Sequence, residues 1–406
     1  MKLDYKKIIV TLVILITLGI IVYFLWQGIA GPPIVENQPL SSTSSTSNLP
    51  SGLPPASSTS SPQIPGGSSI VYGTSSPAII KVSDQPAEAY WIDGQTAGIF
   101  YLNQNGQVFL VNKNVGAKDT QITQQNMGSI DSVAVGPDSQ RVLASFGSPR
   151  APQWAVFDDA DQVWRPLPST VINATWGKDS ATFYGIVQNG SVPALASIDT
   201  SNGNPVIKIL IKDFRFQDVE LAFLPPSSLL LIEKASVDYP SRVWRLNTNT
   251  LAINLLLDNQ KGLLFEPSSD KRVIFTFRGG VFQILDSTTL GQITPIPFIT
   301  IPEKCTLSGV ISYCFVPNSQ AFKTANLPDD YLMSRVFTSD ELFEMDMSGN
   351  IAFAAIPTLL NNGIFDGINP VFNNGFLYFR NRLDNYVYAL NLTSDQFSQN
   401  GQSVGN

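Results

Sequence analysis

Short apolar runs alternate with polar turns along most of the chain, from Ala78 to Leu392. The runs are rich in β-branched and aromatic residues, which favour pleated strands, and the turns are rich in Gly, Pro, Asp, Asn and Ser, which favour tight reversals. This pattern predicts an all-β fold made of repeated antiparallel units. The clearest turn of each unit lies at residues 136–139, 177–180, 225–228, 267–270 and 373–375.

The repeat has the period of a β-propeller blade. Successive turns begin 41, 48 and 42 residues apart, at Gly136, Gly177, Pro225 and Pro267. Periods of about 40–50 residues with four strands each are typical of propellers, whose blades stack in a ring because one blade cannot bury both faces. We predict seven blades in residues 77–393, and six blades remain the alternative because weak repeats are easily split or merged. The seven units begin near Ala87, Asp131, Asn173, Val219, Leu263, Lys304 and Gly367.

The two ends of the repeated region are unequal. The last unit lacks an obvious fourth strand, and residues 78–82 form an apolar run that has no partner of its own. Pairing the two would close the ring and remove sheet edges that otherwise promote aggregation. We therefore expect residues 78–82 to form the outer strand of the last blade.

Near the N-terminus the pattern is that of a membrane anchor. Residues 8–26 carry no charge, and about 20 apolar residues are enough to cross a hydrocarbon core ~30 Å thick. Residues 8–27 are therefore predicted to be a single transmembrane helix in the plasma membrane. Three lysines lie in residues 1–7, so the positive-inside rule predicts a cytoplasmic N-terminus and an extracytoplasmic propeller.

Cleavage of this segment as a signal peptide is the alternative, because residues 28–30 resemble a small-residue cleavage site. The apolar run is longer than the roughly 7–15 residues of a cleaved signal, which favours an anchor. Residues 28–76 are rich in Ser, Thr, Pro and Gly, a composition that predicts a disordered and extended tether. Residues 394–406 are predicted to be a disordered tail.

The composition excludes several classes of chemistry. The chain of 406 residues contains 25 Lys and Arg, 32 Asp and Glu, and no histidine. Without histidine, neither a Ser–His–Asp nor a Cys–His catalytic group can form, and no imidazole can bind a metal. Phosphate-binding loops and dinucleotide fingerprints are also missing from the sequence. We therefore predict no catalytic residue, no metal, no cofactor and no nucleic-acid partner.

Three carboxylates, Asp158, Asp159 and Asp161, crowd one turn. They lack the Asp-x-Asp-x-Asp-Gly spacing and the closing Glu of a calcium-binding loop. We interpret them as residues of a solvated hairpin turn.

The two cysteines, Cys305 and Cys314, lie in the predicted first hairpin of the sixth blade. They can reach disulfide geometry only where the two strands pair closely, so a bond depends on the register. A redox or metal pair would favour Cys-x-x-Cys spacing or further ligands, which the sequence does not supply. Because the outer side of a membrane is oxidising, we expect a structural disulfide.

Six of the eleven arginines are predicted to lie in or beside loops on one face of the propeller, where second strands connect to third strands. The planar guanidinium fork suits carboxylate and phosphate groups, so a cluster at this mouth would bind anions. The alternative is that these arginines pair with acidic residues of the same loops, such as Asp238, Asp329, Asp330 and Asp384. The six arginines are Arg150, Arg242, Arg278, Arg335, Arg380 and Arg382.

The turns and the apolar strands that follow them resemble those of TolB-type and WD-repeat-like propellers. A second series of motifs is similar to uncharacterised membrane-anchored propellers of candidate-phylum bacteria. These resemblances imply a propeller fold and bring no known activity. The second series comprises residues 301–305, Cys314, residues 327–331 and residues 339–343.

From the sequence alone, we expect the chain to be a non-enzymatic binding or scaffold module at the cell envelope. Its expected partners are the lipid bilayer, through the N-terminal helix, and an envelope protein or an anionic polymer. The alternative is a carboxylate-dependent glycan-processing enzyme or a glycan-binding module on the same scaffold. Paired inward-facing Asp or Glu about 5–9.5 Å apart at the axial mouth would favour the enzyme. Hydroxyls, amides and arginines lining this mouth would favour binding.

Overall fold

The structure is a computed structural model of the chain. It describes residues 79–392 except residues 113–116, 149–150, 217, 319, 348–351 and 357–362. None of the helices in this described part is both long and apolar enough to span a bilayer. Four predicted segments lie outside the described residues, namely 1–7, 8–27, 28–76 and 394–406.

The described residues form seven four-stranded antiparallel sheets, each of which is one blade. β1 (Ile79–Lys81) comes first in the chain. Blade one contains β2 (Ala89–Ile92), β3 (Ile99–Leu102), β4 (Val108–Leu110) and β5 (Thr120–Gln121), and blade two contains β6 (Ile130–Val135), β7 (Arg141–Ser148), β8 (Ala151–Asp158) and β9 (Val163–Pro166). Blade three contains β10 (Val171–Trp176), β11 (Thr182–Asn189), β12 (Val192–Asp199) and β13 (Val206–Ile211), and blade four contains β14 (Val219–Leu224), β15 (Ser228–Glu233), β16 (Pro240–Asn247) and β17 (Ile253–Lys261).

The remaining blades follow the same order. Blade five contains β18 (Leu264–Pro267), β19 (Val273–Arg278), β20 (Val281–Asp286) and β21 (Gln292–Pro295). After a 3-10 turn (Pro302–Lys304), blade six contains β22 (Cys305–Ser308), β23 (Ile311–Pro317), the short helices α1 (Gln320–Thr324) and α2 (Asp329–Leu332), β24 (Asp340–Asp346) and β25 (Ala352–Ile356). Blade seven contains β26 (Gly367–Asn373), β27 (Phe376–Asn381) and β28 (Val387–Asn391).

β1 is the fourth strand of blade seven and closes the ring. It pairs antiparallel with β28, with Ile79 opposite Leu390 and Lys81 opposite Tyr388. The predicted closure by this run is therefore confirmed for Ile79–Lys81. The prediction of seven blades is confirmed as well, and the six-blade alternative is wrong.

Neighbouring blades are held together by apolar side chains packed between their sheets. Between blades two and three, Leu143 and Val156 pack with Trp176 and Phe183. The indole nitrogen of Trp176 also donates to the backbone oxygen of Ala134 in blade two, at 2.8 Å. Burial of one large apolar side chain contributes about 1.5–3 kcal/mol, so these contacts are the main source of cohesion between blades.

The strand order gives the propeller two faces. The first strand of each blade is the inner one, and inner strands of neighbouring blades contact each other, as β22 and β26 do. We call the face with the first-to-second and third-to-fourth strand turns, such as residues 136–140, the turn face. The opposite face, with second-to-third strand loops such as residues 234–239, is the loop face. Because β1 runs antiparallel to β28, Ile79 lies at the turn face.

An insertion in blade six, residues 318–339, crosses the mouth of the axial channel on the loop face. On one side, Ser236 Oγ and Val237 N of blade four donate to the Asp329 carboxylate at 3.3 and 3.0 Å. On the other side, Arg382 of blade seven donates to the backbone oxygen of Tyr331 at 3.0 Å. Since blades four and seven lie on opposite sides of the axis, the insertion spans the mouth between them.

The predicted disulfide is present. Cys305 in β22 lies directly opposite Cys314 in β23, and the two sulfurs are bonded. The bond joins the first two strands of the blade that carries the insertion.

The interpretation of residues 158–161 as a solvated turn is wrong for two of its three aspartates. Asp158 and Asp159 are buried, whereas Asp161 is exposed. Asp158 is the last residue of β8 and lies opposite Arg141 of β7, which donates to its carboxylate at 2.8 Å. The Asp159 nitrogen donates to the backbone oxygen of Gln140 at 3.1 Å, which holds the start of the turn against the neighbouring first-to-second strand turn.

Candidate functional site

Arg382, in the loop after β27, holds the blade-six insertion in place. Besides Tyr331, its guanidinium donates to Asp366 Oδ2 at 3.1 Å, and it lies 3.8 Å from the centre of the Tyr331 ring. Only 10% of the side chain is exposed. A guanidinium bound to a carboxylate, a carbonyl and an aromatic face makes mainly internal contacts.

Arg380, in β27, joins blade seven to the segment that leads into blade one. It donates to the backbone oxygen of Ala87 at 3.1 Å and lies 3.7 Å from the Glu88 carboxylate. Only 16% of its side chain is exposed. Like Arg382, it stabilises a junction of the fold, and its role in anion binding stays a prediction.

Of the six predicted arginines, three more are described, and all three are exposed on the loop face. Each makes a contact with one polar partner at the surface. Exposed ion pairs contribute only about 0–1 kcal/mol, so these guanidinium groups can exchange their present partners for a ligand at little cost. The partners are Glu233 for Arg242, Gln260 for Arg278 and Asp330 for Arg335. Arg150 lies outside the described residues.

Exposed apolar side chains share the loop face with these arginines. They lie in the loops of blades four and five and in the blade-six insertion. Aromatic residues, methionine and arginine are enriched in protein interfaces, and a large exposed apolar patch is typical of a binding surface. We call this surface the loop-face patch; it comprises Tyr239, Arg242, Arg278, Val281, Leu332, Met333, Arg335 and Phe337.

A network of buried charges, which the sequence analysis did not predict, lies beneath the insertion. Lys304 Nζ donates to Asp340 Oδ2 at 2.5 Å, to Asp366 Oδ1 at 2.6 Å and to Thr338 Oγ1 at 3.1 Å. The side chains of Lys304 and both aspartates are fully buried. Burial raises the pKa of Asp340, and Lys304 opposes this effect. Because buried charges persist only when paired, this network fixes the base of the insertion.

Three residues at this network belong to the second motif series of the sequence analysis. They are Lys304, Tyr331 and Asp340. Within the insertion, Tyr331 packs with Phe322, and both pack against Phe277 and other buried side chains of the channel mouth. These three residues of the motif series therefore help to attach the insertion to the propeller. Their spacing along the sequence gives no indication of this contact.

The axial channel holds a cavity of about 270 Å³, lined by inner strands of five blades. Tyr90, Phe275, Glu266 and Glu303 are among its lining residues. The Glu266 side chain is accessible through the channel, yet protein surrounds it on most sides. Burial, followed by repulsion from Glu303 and Glu220, raises the pKa of Glu266 to about 8. Glu266 therefore keeps its proton at neutral pH and can act as a hydrogen-bond donor or a general acid.

In the described ranges, no group of three or more Cys, Asp and Glu side chains is arranged to hold a metal ion. The carboxylates of the axial cavity come from different blades. Lys271 is the cation that opposes the raised pKa of Glu266. The cavity is therefore suited to proton donation and hydrogen bonding.

The sequence matches no protein-family model and no curated protein. Several solved structures are similar in fold. TolB from Acinetobacter baumannii gives a TM-score of 0.39 at 12% identity, covering 65% of this chain and 61% of that chain. The β-propeller domain of Cps50 (Swd1) from Myceliophteria thermophila gives 0.46 at 8% identity, covering 78% and 100%. The tricorn protease gives 0.48 at 9% identity, covering 79% of this chain and 34% of that chain.

The strand order of the described residues is that of a seven-bladed β-propeller, and the structures reported as similar include TolB and a WD-repeat-like propeller domain. The chain spans 61% of the TolB chain and 34% of the tricorn protease chain that it matches. At these identities the similarity concerns the fold alone, because one fold hosts many functions. The resemblance to membrane-anchored propellers of candidate-phylum bacteria stays a prediction.

Proposed function

We propose that this chain is a non-enzymatic, membrane-anchored and extracytoplasmic propeller that binds an acidic partner through the loop-face patch. The partner is an envelope protein or an anionic polymer. The observation that carries the proposal is the combination, on one face, of exposed arginines with exposed apolar side chains. The arginines would recognise carboxylate or phosphate groups, and the apolar side chains would supply contact area.

The attachment of the insertion supports this role. The insertion contributes Leu332, Met333, Arg335 and Phe337 to the loop-face patch. The Lys304 network and Arg382 fix the insertion from beneath. A surface held in one conformation loses less entropy on binding than a mobile loop does. The insertion therefore acts as a preorganised part of the binding surface.

Several features support the proposed location. Residues 8–26 are long enough to span a bilayer, and the Cys305–Cys314 disulfide is typical of an oxidising compartment. Ile79, the first residue that the structure describes, lies at the turn face. Protease added to intact spheroplasts should then release a fragment that starts within residues 28–76. Protection of the propeller until the membrane is breached would contradict this orientation.

Binding to acidic polymers tests the proposed function. We expect the purified full chain to bind poly-L-glutamate or polyphosphate, with an affinity that falls as salt screens the charges. The double variant Arg242→Ala/Arg278→Ala should weaken binding at least about tenfold, since several charge contacts are lost.

A matched control is available on the turn face. Arg165 and Arg272 are about as exposed as Arg242, and each pairs with a neighbouring aspartate. The variant Arg165→Ala/Arg272→Ala should leave binding nearly unchanged. Equal losses in both double variants, salt-independent binding or no binding would contradict the proposal.

Glu266 favours a second candidate function, carboxylate-dependent glycan processing or glycan binding. Its pKa of about 8 suits a general acid, and Glu303 is a second carboxylate lining the same cavity. If the chain hydrolyses 4-nitrophenyl glycosides, the variant Glu266→Gln should abolish hydrolysis and leave polymer binding intact. Absence of hydrolysis across a panel of such glycosides would exclude the hydrolytic form of this candidate for the sugars tested.

A further inference from the structure

A cleft of about 680 Å³ opens on the turn face between blades one and two, away from the loop-face patch. Turns of both blades line it, including Asp93 after β2, Gln140 between β6 and β7, and Asp159 between β8 and β9. Phe100 and Leu110 contribute an apolar wall. The cleft therefore combines carboxylates, amides and a surface for packing.

Asp159 is a carboxylate in this cleft with one unused buried oxygen. The residue is 9% exposed, and within the described part of the chain its Oδ2 atom is buried without a hydrogen-bond partner. The neighbouring carboxylates are engaged: Asp93 accepts from the backbone nitrogens of Gln95 and Thr96 at 2.9 and 3.0 Å. A buried oxygen without a donor is costly, and a donor from a ligand would remove this cost.

The charges around Asp159 are mostly negative. Burial, followed by repulsion from Asp93, Asp158 and Asp138, raises the pKa of Asp159 to about 6. The carboxylate is therefore mostly ionised at neutral pH but not neutralised by a neighbour. Two arginines lie nearby and are engaged elsewhere, since Arg141 binds Asp158 and Arg165 binds Asp158 and Asp161.

We infer that this cleft binds a cationic group, an ammonium or a guanidinium, which pairs with the Asp159 carboxylate. The carrier of the group packs against Phe100 and Leu110. An N–H cation suits the site better than a metal ion, because one free carboxylate oxygen needs a single donor, whereas a divalent ion needs several oxygen ligands. The site lies on the opposite face from the loop-face patch and takes a ligand of opposite charge.

Two pairs of probes distinguish a peptide source of the cation from a sugar source. The first pair is a terminally blocked Gly-Lys-Gly peptide and its Nε-acetylated form. The second pair is glucosamine and N-acetylglucosamine. Titrations of the purified full chain should show binding of at least one free amine and loss of binding on acetylation. Tighter binding of the peptide would assign the site to a protein partner, and tighter binding of glucosamine would assign it to a glycan.

The variant Asp159→Asn should weaken binding of the free amine at least about tenfold, because it removes the charge that the ligand pairs with. Its melting temperature should be unchanged or higher, since the substitution relieves repulsion. The matched control is Asp199→Asn, in the third-to-fourth strand turn of blade three. Asp199 is exposed and accepts from the Ser201 nitrogen of its own turn, so this variant should bind as the unaltered chain does.

The pH dependence of amine binding by the unaltered chain provides a test that does not require the Asp159→Asn variant to fold. Affinity for the amine should fall as the pH is lowered through about 6, because Asp159 then takes up a proton. Equal binding of free and acetylated probes, equal losses in the two variants, or no binding of either amine at about 10 mM would overturn the inference.

Discussion

At the scale of single residues, the molecule uses charge in two different ways. Lys304 and Arg382 face Asp340 and Asp366 beneath the insertion, so the buried charges are balanced. Asp159, in contrast, is buried without a cation of its own. The balanced group stabilises the fold, and the unbalanced carboxylate marks a place where a ligand can bind.

Removal of the Lys304 ammonium should destabilise the propeller strongly. The variant Lys304→Ala leaves two buried aspartates without their main partner, and breaking a buried ion pair in this way costs about 3–5 kcal/mol. Urea denaturation measures the free energy of unfolding. The control Lys323→Ala removes an exposed lysine of α1 and should change this free energy by less than about 0.5 kcal/mol. A loss below about 1 kcal/mol for Lys304→Ala would show that the network contributes little.

Glu266 should make stability depend on pH. Its pKa is raised from 4.5 to about 8, so the folded chain holds this proton more tightly than the unfolded chain. The contribution to stability is therefore complete below pH 4.5 and is lost as the pH rises through about 8. Melting temperatures of the unaltered chain and of Glu266→Gln should diverge over this range, with the variant falling less. Parallel curves would contradict the raised pKa.

At the scale of elements, the strands, the turns and the presence of a long loop in blade six were predictable, whereas the position of that insertion across the channel mouth was not. Blade starts and turns depend on local residue types and on a period of 41–48 residues, and both can be read from neighbouring positions. The insertion depends on contacts between distant residues, such as Ser236 with Asp329, 93 positions apart. Periodicity carries no information about such contacts.

The candidate site shows the same division. The sequence predicted that six arginines lie on one face, but it could not tell which of them are exposed. Arg382 is buried because Tyr331, 51 positions earlier, covers it. The sequence analysis predicted that Asp159 is solvated. Its burial depends on packing against blade one and on the contact between Asp158 and Arg141, and the local sequence reveals neither.

Closure of the ring by β1 should contribute more to stability and solubility than the segment that precedes β1. Deletion of residues 77–83 removes β1 and exposes the edge of β28, which should lower cooperativity and promote aggregation. Deletion of part of residues 41–69 should change neither. Thermal unfolding with light scattering compares the two deletions. Equal unfolding cooperativity and equal aggregation in both would contradict the proposed role of β1.

At the scale of the whole molecule, the two faces of the propeller differ in chemistry. The loop face carries exposed arginines and apolar side chains around the insertion, and the turn face carries the Asp159 cleft. The chain as a whole has a net charge of −7, so the arginines of the loop-face patch form a local feature against an acidic background. A partner rich in carboxylate or phosphate should therefore approach this face in preference to the other.

Hydrogen exchange with and without poly-L-glutamate tests the role of the loop-face patch most directly. The full chain should show slower exchange in residues 236–242, 278–281 and 331–337 when the polymer is bound. Exchange in the turns at residues 136–140 and 158–162 should stay the same. Protection confined to the turn face, or spread equally over both faces, would contradict the account.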